Sequence, residues 1–207
     1  MQHLRLCYSK LGAARFASHR DFSRAFERAL RRAGVPMAHS SGFSPHPRIS
    51  YADSAPTSAA SHAEYADIAV LEVLDPERVR EELNAALPVG FRVLRVVERR
   101  RPPLSELLQV SDWVIDLGED RTLRLGRAVD ELLAARSVEV SRVTRRGERT
   151  FDARPAVRSA HVDEDGRVQV RLVHGAPLVR PDDVLRALRR LEPGLGGDHP
   201  GLFTRLR

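Results

Sequence analysis

The chain has 207 residues, of which 42% are hydrophobic; that is enough for one large domain or two small ones, since domains commonly run to about 100–150 residues. Its single cysteine, Cys7, excludes an intrachain disulfide, a thiolate zinc site and a three-cysteine iron–sulfur motif within this chain. A net charge of +6 and a pI near 10.5 point only weakly to an acidic partner until the position of the charge is considered.

The opening MQHLRLCYSK has no long apolar run, which predicts neither a signal peptide nor a membrane span and places the protein in the cytoplasm. Within it HLRLCY alternates, with Leu4, Leu6 and Tyr8 on one face, and reads as a strand. Ser18 then caps a helix, with Asp21 as its capping-box partner. Phe22, Ala25, Phe26, Ala29, Leu30 and Ala33 form that helix's apolar stripe, and Gly34 stops it. The loop SSGFSPHPRIS follows. RISYA and EYADIAVLEV read as strands, joined by a Ser/Ala/Pro-rich connection from Asp53 to Ser61. Asp75 and Pro76 open a second helix on which Val79, Leu83, Ala86 and Leu87 share a face, and Pro88 and Gly90 close it. FRVLRVV is a further strand, so the order is β-α-β-β-α-β, the split βαβ of ferredoxin-like folds.

The run ERRRPP, Glu98 to Pro103, breaks the composition and marks the expected boundary. Beyond it DWVIDLG reads as a strand, and Leu125, Val129, Leu132 and Leu133 mark a helix. VEVSRV, AVRSAHV and RVQVRLV read as strands, the last two joined by the turn DEDG. Pro181 opens a helix through Val184, Leu185, Leu188 and Leu191, LEPGLGGDHPG is expected to be a mobile tail, and GLFTRLR is a short closing strand. The fold class expected is α+β: two tandem ferredoxin-like (βαββαβ) halves, residues 1–101 and 102–207, with antiparallel sheets and helices on one face.

The charge is local. Residues 1–50 hold nine Lys and Arg against two acids, a surplus of seven, so the remaining 157 residues net to minus one. Lys10 is the only lysine; codon bias accounts for arginine replacing lysine, but not for the crowding. Arg20, Arg24, Arg28 and Arg31 follow i, i+4, i+8 and i+11, which keeps them on one side of the first helix, with Arg32 beside them and Glu27 the one acid interspersed. An ordinary solvated face mixes signs to gain i, i+4 pairs. A one-sided row suits phosphates along a nucleic-acid backbone.

In the quoted loop Ser44 and His46 each precede a proline and are held extended, Gly42 permits close backbone approach, and Arg48 lies nearby. Such a loop could hold a phosphate or present His46 to a ligand; it could equally be a rigid turn in which His46 bonds the neighbouring helix. His19, His39, His46 and His62 crowd the first third with Glu64 and Asp67, yet no pair has tight ligand spacing, so neither metal nor cofactor is expected. Aromatics are only 5% of the chain and no K/R-G-F/Y-x-F run occurs, which disfavours base stacking on an open sheet. The expected nucleic-acid surface is a clamp of Arg20, Arg24, Arg28, Arg31 and Arg32, the loop residues Gly42, Ser44, His46 and Arg48, and the ERRR linker.

The segment ARFASHRDFSRAFERALRRAGVPMAHSSGFSPHPRISYADSAPTSAASHAEYADI carries Ser18, His19 and Asp21, Arg31 to Gly34, Ser40 to Arg48, and Glu64, Tyr65 and Asp67. In these it resembles the radical-SAM-linked, or radical-SAM-associated, family of uncharacterised bacterial proteins. The resemblance implies a radical SAM enzyme as partner and a role in RNA modification or processing. Three functions follow as expectations. The first is an RNA-binding accessory protein that presents RNA to that partner. The second is a metal-independent endoribonuclease with His46 or His39 as general acid or base, assisted by Tyr8 or Lys10. The third is a protein-only adaptor docking on the radical SAM partner.

Overall fold

Leu4, Leu6 and Tyr8 are buried in alternation along the first strand, β1 (Gln2–Lys10), as period-two side-chain placement requires. The structure, a computed structural model, describes residues 1–100, 102–118, 123–144 and 147–207. Their fold is α+β, and the chain divides into two compact units, Met1–Leu108 and Gln109–Arg207. Arg101, inside the expected boundary run, lies outside the described residues.

In the first unit β1 is central. It pairs antiparallel with β3 (Ala60–Val70) on one edge and with β4 (Phe91–Glu98) on the other, and β2 (Ile49–Ala52) pairs antiparallel with β3. The order within the unit is therefore β4-β1-β3-β2. The third strand begins at Ala60 rather than Glu64 because Lys10 of β1 extends the pairing to Ser61.

Between β1 and β2 runs α1 (His19–Arg32), and between β3 and β4 runs α2 (Pro76–Ala86). The capping box forms as expected: Ser18 Oγ accepts from Asp21 N–H, and the Asp21 carboxylate accepts from Ser18 N–H at 3.1 Å, satisfying two donors that a helix start leaves open. At the other end Val35 N–H reaches Leu30 O and Gly34 N–H reaches Arg31 O. With Gly34 at φ +65°, this is the Schellman closure that glycine allows. Phe22, Phe26, Ala29 and Leu30 of α1 and Val79 and Leu83 of α2 pack with Leu4, Leu6 and Ile68 in one apolar cluster. Both helices thus cover the same face of the sheet. Asn84 fastens α2 to β4, its amide bonding both the N–H and the C=O of Val93.

A short helix absent from the sequence reading, α3 (Leu104–Leu107), buries Leu104 and touches β2 and β3. At four residues it has no periodicity to read.

The second unit holds β5 (Val110–Asp116), α4 (Leu123–Ala134), β6 (Glu139–Thr144), β7 (Gly147–Asp152), β8 (Val157–Val162), β9 (Val168–Val173), α5 (Pro181–Leu191) and β10 (Leu202–Arg205). Antiparallel pairing gives the order β10-β5-β9-β8. β6 and β7 form a separate two-stranded hairpin. Its second strand was not expected, because Glu148, Arg149 and Thr150 are exposed and only Phe151 is buried, leaving no apolar alternation to detect. Leu125, Ala128, Val129 and Leu132 of α4 and Val184, Leu185 and Leu188 of α5 are buried, and the two helices pack together. In the segment after α5 Leu195 is fully buried, and Arg189 donates to Leu195 O and Gly197 O. Among the described residues no helix is long and apolar enough to cross a membrane.

Candidate nucleic-acid interface

Because α1 buries its Phe22–Leu30 stripe, its opposite side faces solvent. Arg20, Arg24, Arg28 and Arg31 are all exposed there, within about 80° of arc and about 16 Å of helix length at 100° and 1.5 Å per residue. Among the described residues none of the four forms an ion pair. Neither acid of the helix forms an ion pair with them among the described residues. Asp21 is held by Ser18, whose hydrogen bonds lower its pKa, with a smaller contribution from Arg24 and Arg20. Glu27 lies toward Tyr51, where it adds slightly to the burial that pushes the Tyr51 phenol up to about 12. Arg32 leaves the row: its guanidinium donates to Ala86 O of α2.

The loop after α1 is a braced hairpin. Ser40 N–H donates to His46 O at 2.9 Å, His46 N–H donates to Ser40 Oγ at 3.2 Å, and Arg48 N–H reaches Ala38 O. Its base is stitched to β3 by Ala38 N–H to Ala69 O and Ala69 N–H to Arg48 O. Among the described residues His46 does not bond the neighbouring helix; its Nδ1 meets Ser44 O at 2.9 Å, so Nδ1 carries the hydrogen and Nε2 has no partner there. Gly42, at φ +121°, and Ser44 sit at the exposed tip around Phe43, which is fully exposed. Sequence reasoning passed over Phe43, since an apolar residue in a loop gives no sign of which way it turns.

Alternation along β1 turns His3, Arg5 and Cys7 to the sheet face opposite the helices, and register brings Ser50 and Asp67 to the same face. There a cavity of about 440 Å³ is lined by His3, Ser40, His46, Arg48, Asp67 and Arg99, among others. Asp67, buried, accepts two hydrogen bonds from Arg5, at 2.7 and 2.8 Å, and Arg99 lies 3.5 Å from its second oxygen. His3 and Arg5 were not among the expected site residues, whereas Arg99 belongs to the expected ERRR linker. Arg5 and Arg99 are 94 positions apart in the sequence and meet only through Asp67.

The structure therefore corrects the expected clamp. His46 and Arg48 come together in the cavity, while Arg20, Arg24, Arg28 and Arg31 stand on the helix layer across the sheet. Of the linker, Arg99 reaches the cavity, Arg100 pairs with Glu98, and Arg101 lies outside the described residues.

The four candidate catalytic groups are likewise dispersed. Tyr8 is buried on the helix face, stacked on Phe22 with ring centroids 4.3 Å apart. Lys10 is buried, its Nζ donating to Ala55 O and Pro56 O, and burial lowers its pKa. His39 is exposed with Nδ1 on Met37 O. Lys10 lies seven residues along β1 from His3, about 23 Å at 3.3 Å per residue, so it does not reach His46. Glu64 accepts from Ala55 N–H at 3.0 Å, and His19 Nδ1 meets Ser54 Oγ at 2.9 Å. Among the described residues no group of three or more His, Cys, Asp or Glu side chains converges as a metal site would need.

Over residues 3–181 the sequence matches the family described as uncharacterized protein conserved in bacteria (DUF2344), and the chain belongs to that family. No curated protein matches it.

Proposed function

We propose that this member of the bacterial family is an RNA-binding accessory protein that presents an RNA substrate to a radical SAM enzyme. The observation that carries the reading is the row Arg20, Arg24, Arg28 and Arg31, exposed along α1 and without carboxylate partners among the described residues. Left unpaired, such a row repels itself. A polyanion relieves that repulsion and releases its own counterions on binding. RNA rather than DNA, and the enzyme partner, rest on the resemblance of the Ser18–Asp21, Ser40–Arg48 and Glu64–Asp67 motifs to radical-SAM-linked proteins. The strand orders β4-β1-β3-β2 and β10-β5-β9-β8 support reading each unit as a ferredoxin-like half, the second interrupted by the β6–β7 hairpin.

The test is fluorescence anisotropy of labelled single-stranded RNA against the full chain and the variant Arg24→Gln/Arg28→Gln/Arg31→Gln. Wild type is expected to bind, with at least a tenfold loss in the variant. Equal affinity of the two proteins overturns the reading. Co-purification of a radical SAM enzyme that survives nuclease treatment, with no RNA bound by either protein, would replace it with a protein-only adaptor.

A further inference from the structure

We infer that the cavity between the Ser40–Arg48 loop, β3 and Arg99 is a binding site for a phosphomonoester. It stands on the sheet face opposite α1, and it does not depend on the arginine row.

Charge is the first argument. Arg48 lines the cavity and forms no ion pair among the described residues. Arg99 lines it from the other side, and Arg5 lies behind Asp67. Among the lining side chains Arg48 and Arg99 stand beside the Asp67 carboxylate, so the lining is cationic, and Arg5 behind Asp67 adds to it. A phosphomonoester carries about −1.5 to −2 at neutral pH, whereas a backbone diester carries one. The carboxylate does not repel the ligand as a free one would, because both of its oxygens are engaged by Arg5 and the second is also near Arg99.

Hydrogen-bond polarity is the second. Ser40 Oγ accepts from His46 N–H, which leaves the Ser40 hydrogen to donate outward. The Ser44 carbonyl fixes Nδ1 of His46 as a donor, so the ring presents Nε2 and, when charged, a second N–H. Both groups are held before any ligand arrives: the prolines at 45 and 47 stiffen the loop, and the paired bonds between Ser40 and His46 close its neck. Phosphate oxygens accept several such donors together with a guanidinium.

Size and walls are the third. About 440 Å³ lies within the usual range of small-ligand sites, about 300–1,000 Å³, and exceeds what a bare oxyanion fills. Pro47 and Ala69 supply apolar wall for the group that bears the phosphate. A phosphorylated 5′ end of RNA and a free mononucleotide share this chemistry.

Calorimetric titration of the full chain compares two pairs of ligands: one oligoribonucleotide with a 5′-phosphate or a 5′-hydroxyl, and adenosine 5′-monophosphate or adenosine. The phosphate is expected to tighten binding at least tenfold in one or both pairs. An increment seen only in the oligonucleotide assigns the site to an RNA end, and one seen in both pairs, or with the mononucleotide alone, to a free nucleotide. Arg48→Gln is expected to remove most of the increment, Ser40→Ala to reduce it several-fold, and the α1 triple variant to keep it. No increment in either pair, or one that both Arg48→Gln and Ser40→Ala leave intact, overturns the site. Should RNA affinity withstand the α1 variant while the increment persists, the arginine row fails and the phosphate site stands.

Discussion

Arg5 and Asp67 face each other across β1 and β3 in a two-pronged ion pair of 2.7 and 2.8 Å, with Asp67 only 5% exposed. The pair holds the wall of the cavity, and Arg5 also donates to Pro102 O, so one guanidinium joins β1, β3 and the segment leaving β4. Removing the carboxylate would strand two arginines near it. Asp67→Ala is expected to lower the unfolding free energy by about 3–5 kcal/mol, the usual cost of breaking a buried pair from one side. Urea denaturation monitored by circular dichroism measures it.

The α1 cap is a smaller and separable contribution. Ser18→Ala removes the acceptor for Asp21 N–H and should cost about 1 kcal/mol. A thermal shift of a few degrees with an unchanged α1 arginine surface is the expected outcome, read by calorimetry beside the RNA titration.

If the row on α1 meets RNA phosphates, the salt dependence must change with it. Each phosphate contact on a single strand contributes about 0.7 to the slope of log affinity against log salt. Neutralising Arg24, Arg28 and Arg31 should therefore flatten that slope by about 2, measured by anisotropy over a series of chloride concentrations. An unaltered slope places those three side chains outside the contact.

Tyr51 gives a pH signature. Burial lifts its phenol to about 12 from an ordinary value near 10. The folded pKa is raised above the unfolded one, so the stability this group contributes is complete below about pH 10 and is lost as pH rises toward 12. Tyr51→Phe should flatten that alkaline decline, and ultraviolet titration of the native chain should show a late-ionising phenol that the variant lacks.

Gly90 sits at φ +95° where a Cβ would lie 2.6 Å from Ala14 Cβ and 2.8 Å from Leu11 O. It holds the turn into β4 against the turn at Gly12–Phe16, with Leu11 N–H bonded to Gly90 O at 2.8 Å. Gly90→Ala meets both strain and backbone contact, and should destabilise by about 1–3 kcal/mol, measured by the same denaturation.

Local signals made much of the first unit readable. The alternation of Leu4, Leu6 and Tyr8, the Ser18–Asp21 box, the Gly34 stop and the Asp75–Pro76 start each depend on residues a few positions apart, and each forms as read. The arginine row was legible for the same reason, since helical period alone puts Arg20, Arg24, Arg28 and Arg31 on one side. β7 and α3 were not, because neither presents an apolar period.

The cavity was legible only in part. His46, Arg48 and the stiffness of their loop stand out in a string of letters, but not the surface to which the loop returns. That is set by the register of β1 against β3 and of β2 against β3, which turns Arg5, Asp67 and Ser50 away from the helices. The sequence by itself determined the longer helices, the caps of α1 and α2, the strands with apolar alternation and the row of charge, all through interactions of short range along the chain. The tertiary structure alone decided that Arg48 and Arg99 share a cavity and that the α1 row lies across the sheet from it. Which side chains meet at such separations depends on strand pairing and the face each residue takes, and one residue of register would reverse every face.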